Sequence, residues 1–143
     1  MPQTDTEVLR EAFNLAACTT SVAEARHRTL AWLFRSTVGQ QAADAAALIV
    51  SELVTNAIVH SGSEFVSCVL RLGGGLLRIE VTDQGISSEE PTVRDPADDD
   101  VSGRGLLLVN AVSDRWGVSP AIPAGRTVWA VVRTGECPGI IRD

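Results

Sequence analysis

A chain of 143 residues, 45% of them apolar, is long enough for one domain with a sizeable core and too apolar to be disordered. The formal charge is −6, with twelve Arg and no Lys, which argues against nonspecific nucleic-acid binding. No apolar run approaches the roughly 18–20 residues that cross a bilayer, and "MPQTDTEVLREAF" lacks the basic and apolar regions of a signal peptide. Cys18, Cys68 and Cys137 are odd in number, scattered and without metal-ligand spacing. They read as reduced thiols of a cytoplasmic protein.

In chain order, "REAFNLAA" suggests a first strand. Ser21 and Glu24 then have the spacing of a capping box, and Val22, Ala25, Leu30, Leu33 and Phe34 form a helical stripe that runs to about Val38 and stops at Gly39. A second helix is expected from about Gln41 to His60, ended by "HSGS". "EFVSCVLRLGGGLLRIEVTD" reads as a hairpin turning at Gly74-Gly75. In that register Leu72 faces Leu77, Leu70 faces Ile79, Cys68 faces Val81 and Val66 faces Asp83. Because side chains alternate along a strand, Asp83 is expected on the buried face. Arg71 opposes Arg78, a mild penalty.

From Asp83 to Ser102 there are seven acids and one base, while the rest of the chain is neutral. This aperiodic stretch, rich in Pro, Asp and Glu, is expected to be a lid or disordered. Ser102 is expected to cap a third helix from about Gly105 to Ser113, followed by closing strands at Gly117–Ser119 and "TVWAVVR". The order predicts a two-layer α+β sandwich. In "TVWAVV" both parities are apolar, which either burial within the chain or a second copy explains.

The chemistry starts in "SELVTNAIVH". Glu52 and Asn56 lie four apart, hence on one face of a helix that is otherwise apolar almost all round. A buried carboxylate needs a partner, a proton or a metal. Two readings stay open: a partly exposed polar stripe or a pairing with Arg on one side, a functional pair on the other. Asp83, before Gln84-Gly85, is either a turn residue or an acceptor for an exocyclic amine such as that of adenine. "GRG", Gly103 to Gly105, is either a hinge or a glycine cradle at a helix start, where N–H groups attract phosphate. Together these pieces suit a nucleotide plus a divalent ion, since Mg²⁺ commonly takes one or two protein ligands and completes its shell with phosphate and water.

With those residues in hand, the chain resembles the GHKL ATP-binding superfamily. "ELVTNAIVH" is similar to its N-box, "VTDQG" to its G1 box and "GRGLLLV" to its G2 box, in the same order and with matching spacing over roughly residues 13–133. The compact length together with "ELVTNA…H", "GRGL.LV" and "RWG…TVWA" is most similar to the bacterial anti-sigma serine kinases, in particular the stand-alone ones of actinomycetes. The resemblance implies a Bergerat-type α+β fold, a mixed and mostly antiparallel sheet with helices on one face. It implies a single domain over 1–143 with a lid at about 84–102, and ATP with Mg²⁺ as cofactors. It implies Glu52 as the catalytic residue that orients the attacking hydroxyl, and Asn56 as the Mg²⁺ ligand. It implies Asp83 as the adenine acceptor, Gly85 as the glycine that admits the base, and Gly103, Arg104, Gly105 and Leu106 beside the phosphates.

The implied function is sequestration of a sigma factor and phosphorylation of a STAS-type anti-anti-sigma protein on Ser or Thr. The two apolar parities of "TVWAVV" leave a homodimer as an option, and neither direct nucleic-acid binding nor a membrane is expected. The G1 box departs from the pattern, because "ISS" with no second glycine follows Asp83-Gln84-Gly85. That motivates an alternative, a non-catalytic module that sequesters partners.

Overall fold

The computed structural model describes residues 8–84, 101–121 and 124–134, with the backbone alone at 60–61 and 101–105. Within them the elements are β1 (Leu9–Ala16), α1 (Thr20–Phe34), α2 (Gln40–Ser61), β2 (Phe65–Gly73), β3 (Leu76–Asp83), α3 (Val101–Val112), β4 (Arg115–Pro120) and β5 (Arg126–Arg133). The strands make one open sheet in the order β1-β2-β3-β5-β4. Its four pairings are all antiparallel, in keeping with the mostly antiparallel sheet that the resemblance implied.

The hairpin forms in the expected register. Leu72 pairs with Leu77, Leu70 with Ile79, Cys68 with Val81 and Val66 with Asp83, around Gly74 and Gly75 at positive φ. Arg71 does oppose Arg78, and the repulsion is offset by Glu80, whose Oε2 lies 2.8 Å from Arg71 and 2.6 Å from Arg78.

One parity of the sheet, with Leu15, Val66, Cys68, Leu70, Leu77, Ile79, Val81, Val128 and Ala130, joins Ile49, Val50, Leu53 and Val54 of α2 in a single core. Fully burying a side chain such as Ile49 contributes about 1.5–3 kcal/mol. Burial pushes the Cys68 thiol up to about 12. The opposite parity of β5 is filled from within the chain. The Trp129 ring lies under the Arg78 guanidinium at 4.5 Å and against Gly117, so a second copy is not needed to cover it.

Helix α2 contradicts the expectation about membrane-length segments. Gln40–Val59 is long and apolar enough to pass a length-and-composition test for a span. Its buried residues pack instead on the sheet and on α1 and α3, the position of a core helix. It carries only Asp44 and Glu52 as charged residues, consistent with the cover that the sheet, α1 and α3 give it.

Three local expectations fail. The capping box at Ser21 does not form. The cap of helix α1 falls two residues earlier, at Thr19 and without a side-chain bond, Ser21 is buried, and Glu24 pairs with Arg28 at 3.2 Å. The helix also ends at Phe34, short of Val38. Helix α3 starts at Val101 rather than near Gly105, so Gly103, Arg104 and Gly105 lie in its first turns. Two glycines there cost about 1 kcal/mol each relative to Ala, and the burial of Leu106 and Val109 on one helical face opposes that cost.

Candidate nucleotide site

The backbone fixes which end of the molecule each candidate occupies. Helix α2 begins where β5 ends, with Gly39 N–H donating to the Thr134 carbonyl at 3.4 Å and Thr134 N–H to that of Gly75 at 3.0 Å. It finishes at the other end of the sheet. Gly62 turns the chain at φ 70°, then Ser63 Oγ accepts from Gln84 N–H at 2.7 Å and Gln84 Oε1 accepts from Glu64 N–H at 3.4 Å. These bonds tie the end of α2 to the residue after Asp83. Asn56, five residues before the helix end, is about 8 Å from it along the axis.

Helix α3 returns antiparallel to α2. Its last residues, Ala111 and Val112, line a cleft with the first residues of α2, and Asp114 N–H donates to the Val131 carbonyl at 2.7 Å. The first turn of α3, with Gly103, therefore points toward the end that holds Asn56 and Asp83.

Asn56 is 4% exposed, and its Oδ1 has no hydrogen-bond partner among the described residues. A buried amide oxygen without a partner costs about 1–3 kcal/mol, so it calls for a ligand. An oxygen donor of this kind fits Mg²⁺. No group of three His, Cys, Asp or Glu suited to a metal exists among the described residues.

Glu52 lies one turn earlier on the same face, half-buried, and makes no ion pair among the described residues. Burial pushes its carboxyl above the usual range. The nearby guanidinium of Arg26 goes to Ser51 Oγ at 3.0 Å rather than to Glu52. The pairing with Arg that the sequence left open is therefore absent from the described contacts.

Asp83 sits on the core-side parity as expected, 4% exposed. Directly across the ladder is Arg126, 8% exposed, with Nε 3.6 Å from Asp83 Oδ2. Sequence reasoning missed this residue. Gly125 brings the two strands together there, since at φ 91° it lies so close that a Cβ would overlap the Asp83 carbonyl. Removing one partner from a buried ion pair costs about 3–5 kcal/mol.

Leu106 packs in the core at 1% exposure. Gly85, residues 85–100 of the lid expected at about 84–102, and the side chain of Arg104 lie outside the described residues. The first turn of α3 supplies backbone N–H groups without intrahelical partners, the feature of a phosphate cradle.

An antiparallel sheet under three helices, with an amide oxygen, a carboxylate and a helix start gathered at one end, defines the GHKL class of ATP-binding domain. Residues 15–132 match the family model described as "Histidine kinase-like ATPase domain". The chain belongs to this family. A search of curated proteins found no match.

Among solved structures, the chain resembles "the RsbU and RsbW domains of Rv1364c from Mycobacterium tuberculosis". The TM-score is 0.67 at 18% identity, over 87% of this chain and 32% of that one. It also resembles the histidine kinase domain of the blue-light activated histidine kinase EL346 from Erythrobacter litoralis. There the TM-score is 0.53 at 20% identity, over 84% of this chain and 62% of that one. The chain thus spans less than two thirds of either, and the likeness is one of fold.

Proposed function

We propose that this protein is a Mg-ATP-dependent anti-sigma serine/threonine kinase. It sequesters a sigma factor and phosphorylates a Ser or Thr of a STAS-type anti-anti-sigma protein. Residues 1–143 form one ATPase domain with its core at about 13–133 and a lid at about 84–102, in the cytoplasm. The observation that carries the reading is the unsatisfied, buried Oδ1 of Asn56 at the same end of the molecule as Asp83 and the start of α3. The fold likeness to a structure containing an RsbW domain supports the partner class.

Each residue then has a task. Asp83 accepts the adenine amine, Asn56 presents an oxygen to the ion, and the first turn of α3, Gly103 to Gly105, holds phosphate oxygens. Glu52 orients the substrate hydroxyl and takes up its proton. The Mg²⁺ supplies charge neutralisation at the phosphates. In phosphoryl transfer such positioning and charge stabilisation carry most of the catalysis.

Calorimetric titration with Mg-ATP tests the nucleotide site. Asp83→Asn should weaken binding about 10- to 100-fold, the worth of a hydrogen bond to a charged acceptor. Circular dichroism checks that the variant is folded, because Arg126 loses its counter-ion. Unchanged affinity in a folded variant rejects the adenine assignment. For the partners, affinity capture from the native host, with and without ATP, should return a sigma factor and a small antagonist. The antagonist should then accept label from γ-labelled ATP. A wild-type protein that binds no nucleotide yet captures partners would be the non-catalytic module instead.

A further inference from the structure

We propose that Arg126 is the positioning residue for base recognition: it holds Asp83 as a pure hydrogen-bond acceptor and so sets selectivity for a 6-amino purine. The inference rests on the nucleotide-binding reading above.

Asp83 and Arg126 are Cα partners in the β3–β5 ladder, and both side chains point to the helix side of the sheet, almost fully buried. Gly125 leaves β5 little freedom here, because its backbone abuts the carbonyl of Asp83 and Gln84. The guanidinium is therefore delivered to the carboxylate by backbone register. The Nε–Oδ2 separation of 3.6 Å is that of an ion pair and lies outside hydrogen-bond range for this contact. Through it Arg126 supplies charge without occupying an acceptor position on the carboxylate.

The chemical consequence concerns proton identity. An ionised carboxylate only accepts hydrogen bonds, so it welcomes an amine and repels a carbonyl oxygen. A protonated carboxyl donates as well, and accommodates both. A carboxylate buried without a cation tends to take up a proton. Arg is the cation that does not release its own. With Arg126 in place the site distinguishes adenine from a 6-oxo purine; without it the discrimination falls.

Calorimetric titrations of wild type, Arg126→Met and Arg126→Lys with Mg-ADP and Mg-IDP test this. Wild type should prefer ADP by about tenfold or more. In R126M the preference should shrink to about threefold or less, and R126K should recover most of it, because charge is the property at issue. A purely structural role for Arg126 lowers both affinities and keeps their ratio. An unchanged ratio in R126M, or tighter ADP binding, overturns the proposal. If R126M does not fold, R126K decides alone: a folded R126K that has lost the ADP preference also overturns it. Wild type binding neither nucleotide removes the nucleotide-site reading itself, and this inference with it.

Discussion

Glu52→Gln is expected to reduce phosphoryl transfer to the antagonist by at least about 100-fold, the usual contribution of a positioned general base, and to raise the melting temperature at pH 7.5. Mg-ATP affinity should stay near that of wild type, since the substitution keeps the shape and spares Asn56. The stability effect follows from the raised carboxyl of Glu52, which burial alone causes. Its folded-state pKa exceeds the ordinary value of 4.5, so above the folded pKa the charged form costs more in the fold than in the unfolded chain.

Gln carries no such cost. The gain should be present at neutral pH and shrink toward zero as pH falls below the ordinary value of 4.5, where Glu52 takes up its proton in both states. Glu52 is only half-buried, so the increase should not exceed about 4 °C, roughly what 1 kcal/mol produces in a chain of this size. Scanning calorimetry from pH 4 to 8 on both proteins measures it. A variant less stable than wild type at pH 7.5 contradicts the desolvation account; normal transfer activity contradicts the role. Gain of stability with loss of activity is the signature of a residue kept for function against the interest of the fold.

The second large effect is expected at Gly125. In Gly125→Ala the new Cβ overlaps the Asp83 carbonyl and the carbonyl carbon of Gln84, at a φ of 91° that L side chains rarely adopt. Strand β5 must withdraw from β3 at the position where Arg126 meets Asp83. The loss should be at least about 2 kcal/mol, combining backbone strain with a disrupted buried pair. Gly74→Ala is the control, since its φ is also positive at 61° but a Cβ there meets nothing within 4 Å. It should cost only about 1–2 kcal/mol. Urea unfolding of both variants with equal slopes makes the comparison. G125A no worse than G74A would show that the close approach at Asp83 is easily relaxed.

The hairpin was legible because its signals are local. Two glycines suited to positive φ fixed the turn, and strict alternation on both sides fixed the register and hence the buried parity of Asp83. Helix α2 was legible from its apolar run and from "HSGS", where Gly62 does adopt the left-handed conformation. The start of α3 was not. Gly103 and Gly105 argue locally for a loop, yet Leu106 and Val109 reward a helix by burial in the core, and tertiary packing outweighed propensity. The Ser21 capping box failed for a similar reason, as the buried position of Ser21 within the helix left Glu24 to pair with Arg28.

Within the site, Glu52, Asn56 and Asp83 stood out because each is polar where its neighbours are apolar. Arg126 did not. It meets Asp83 only through a pairing of strands more than forty residues apart, which no turn between them fixes, and an Arg at a strand start is otherwise unremarkable on a surface. A glycine directly before it was the available sign of close backbone approach.

The thiol of Cys68, in the middle of the central hairpin and raised to about 12, gives the sheet a chemical clock. At neutral pH almost none of it is thiolate, and the core covers the sulfur. A thiol reagent therefore reaches it only in molecules whose sheet has opened, whereas Cys18, exposed before α1, is accessible in the closed form. The two sulfurs report on different populations, the folded ensemble at one end of the chain and its rare excursions at the centre.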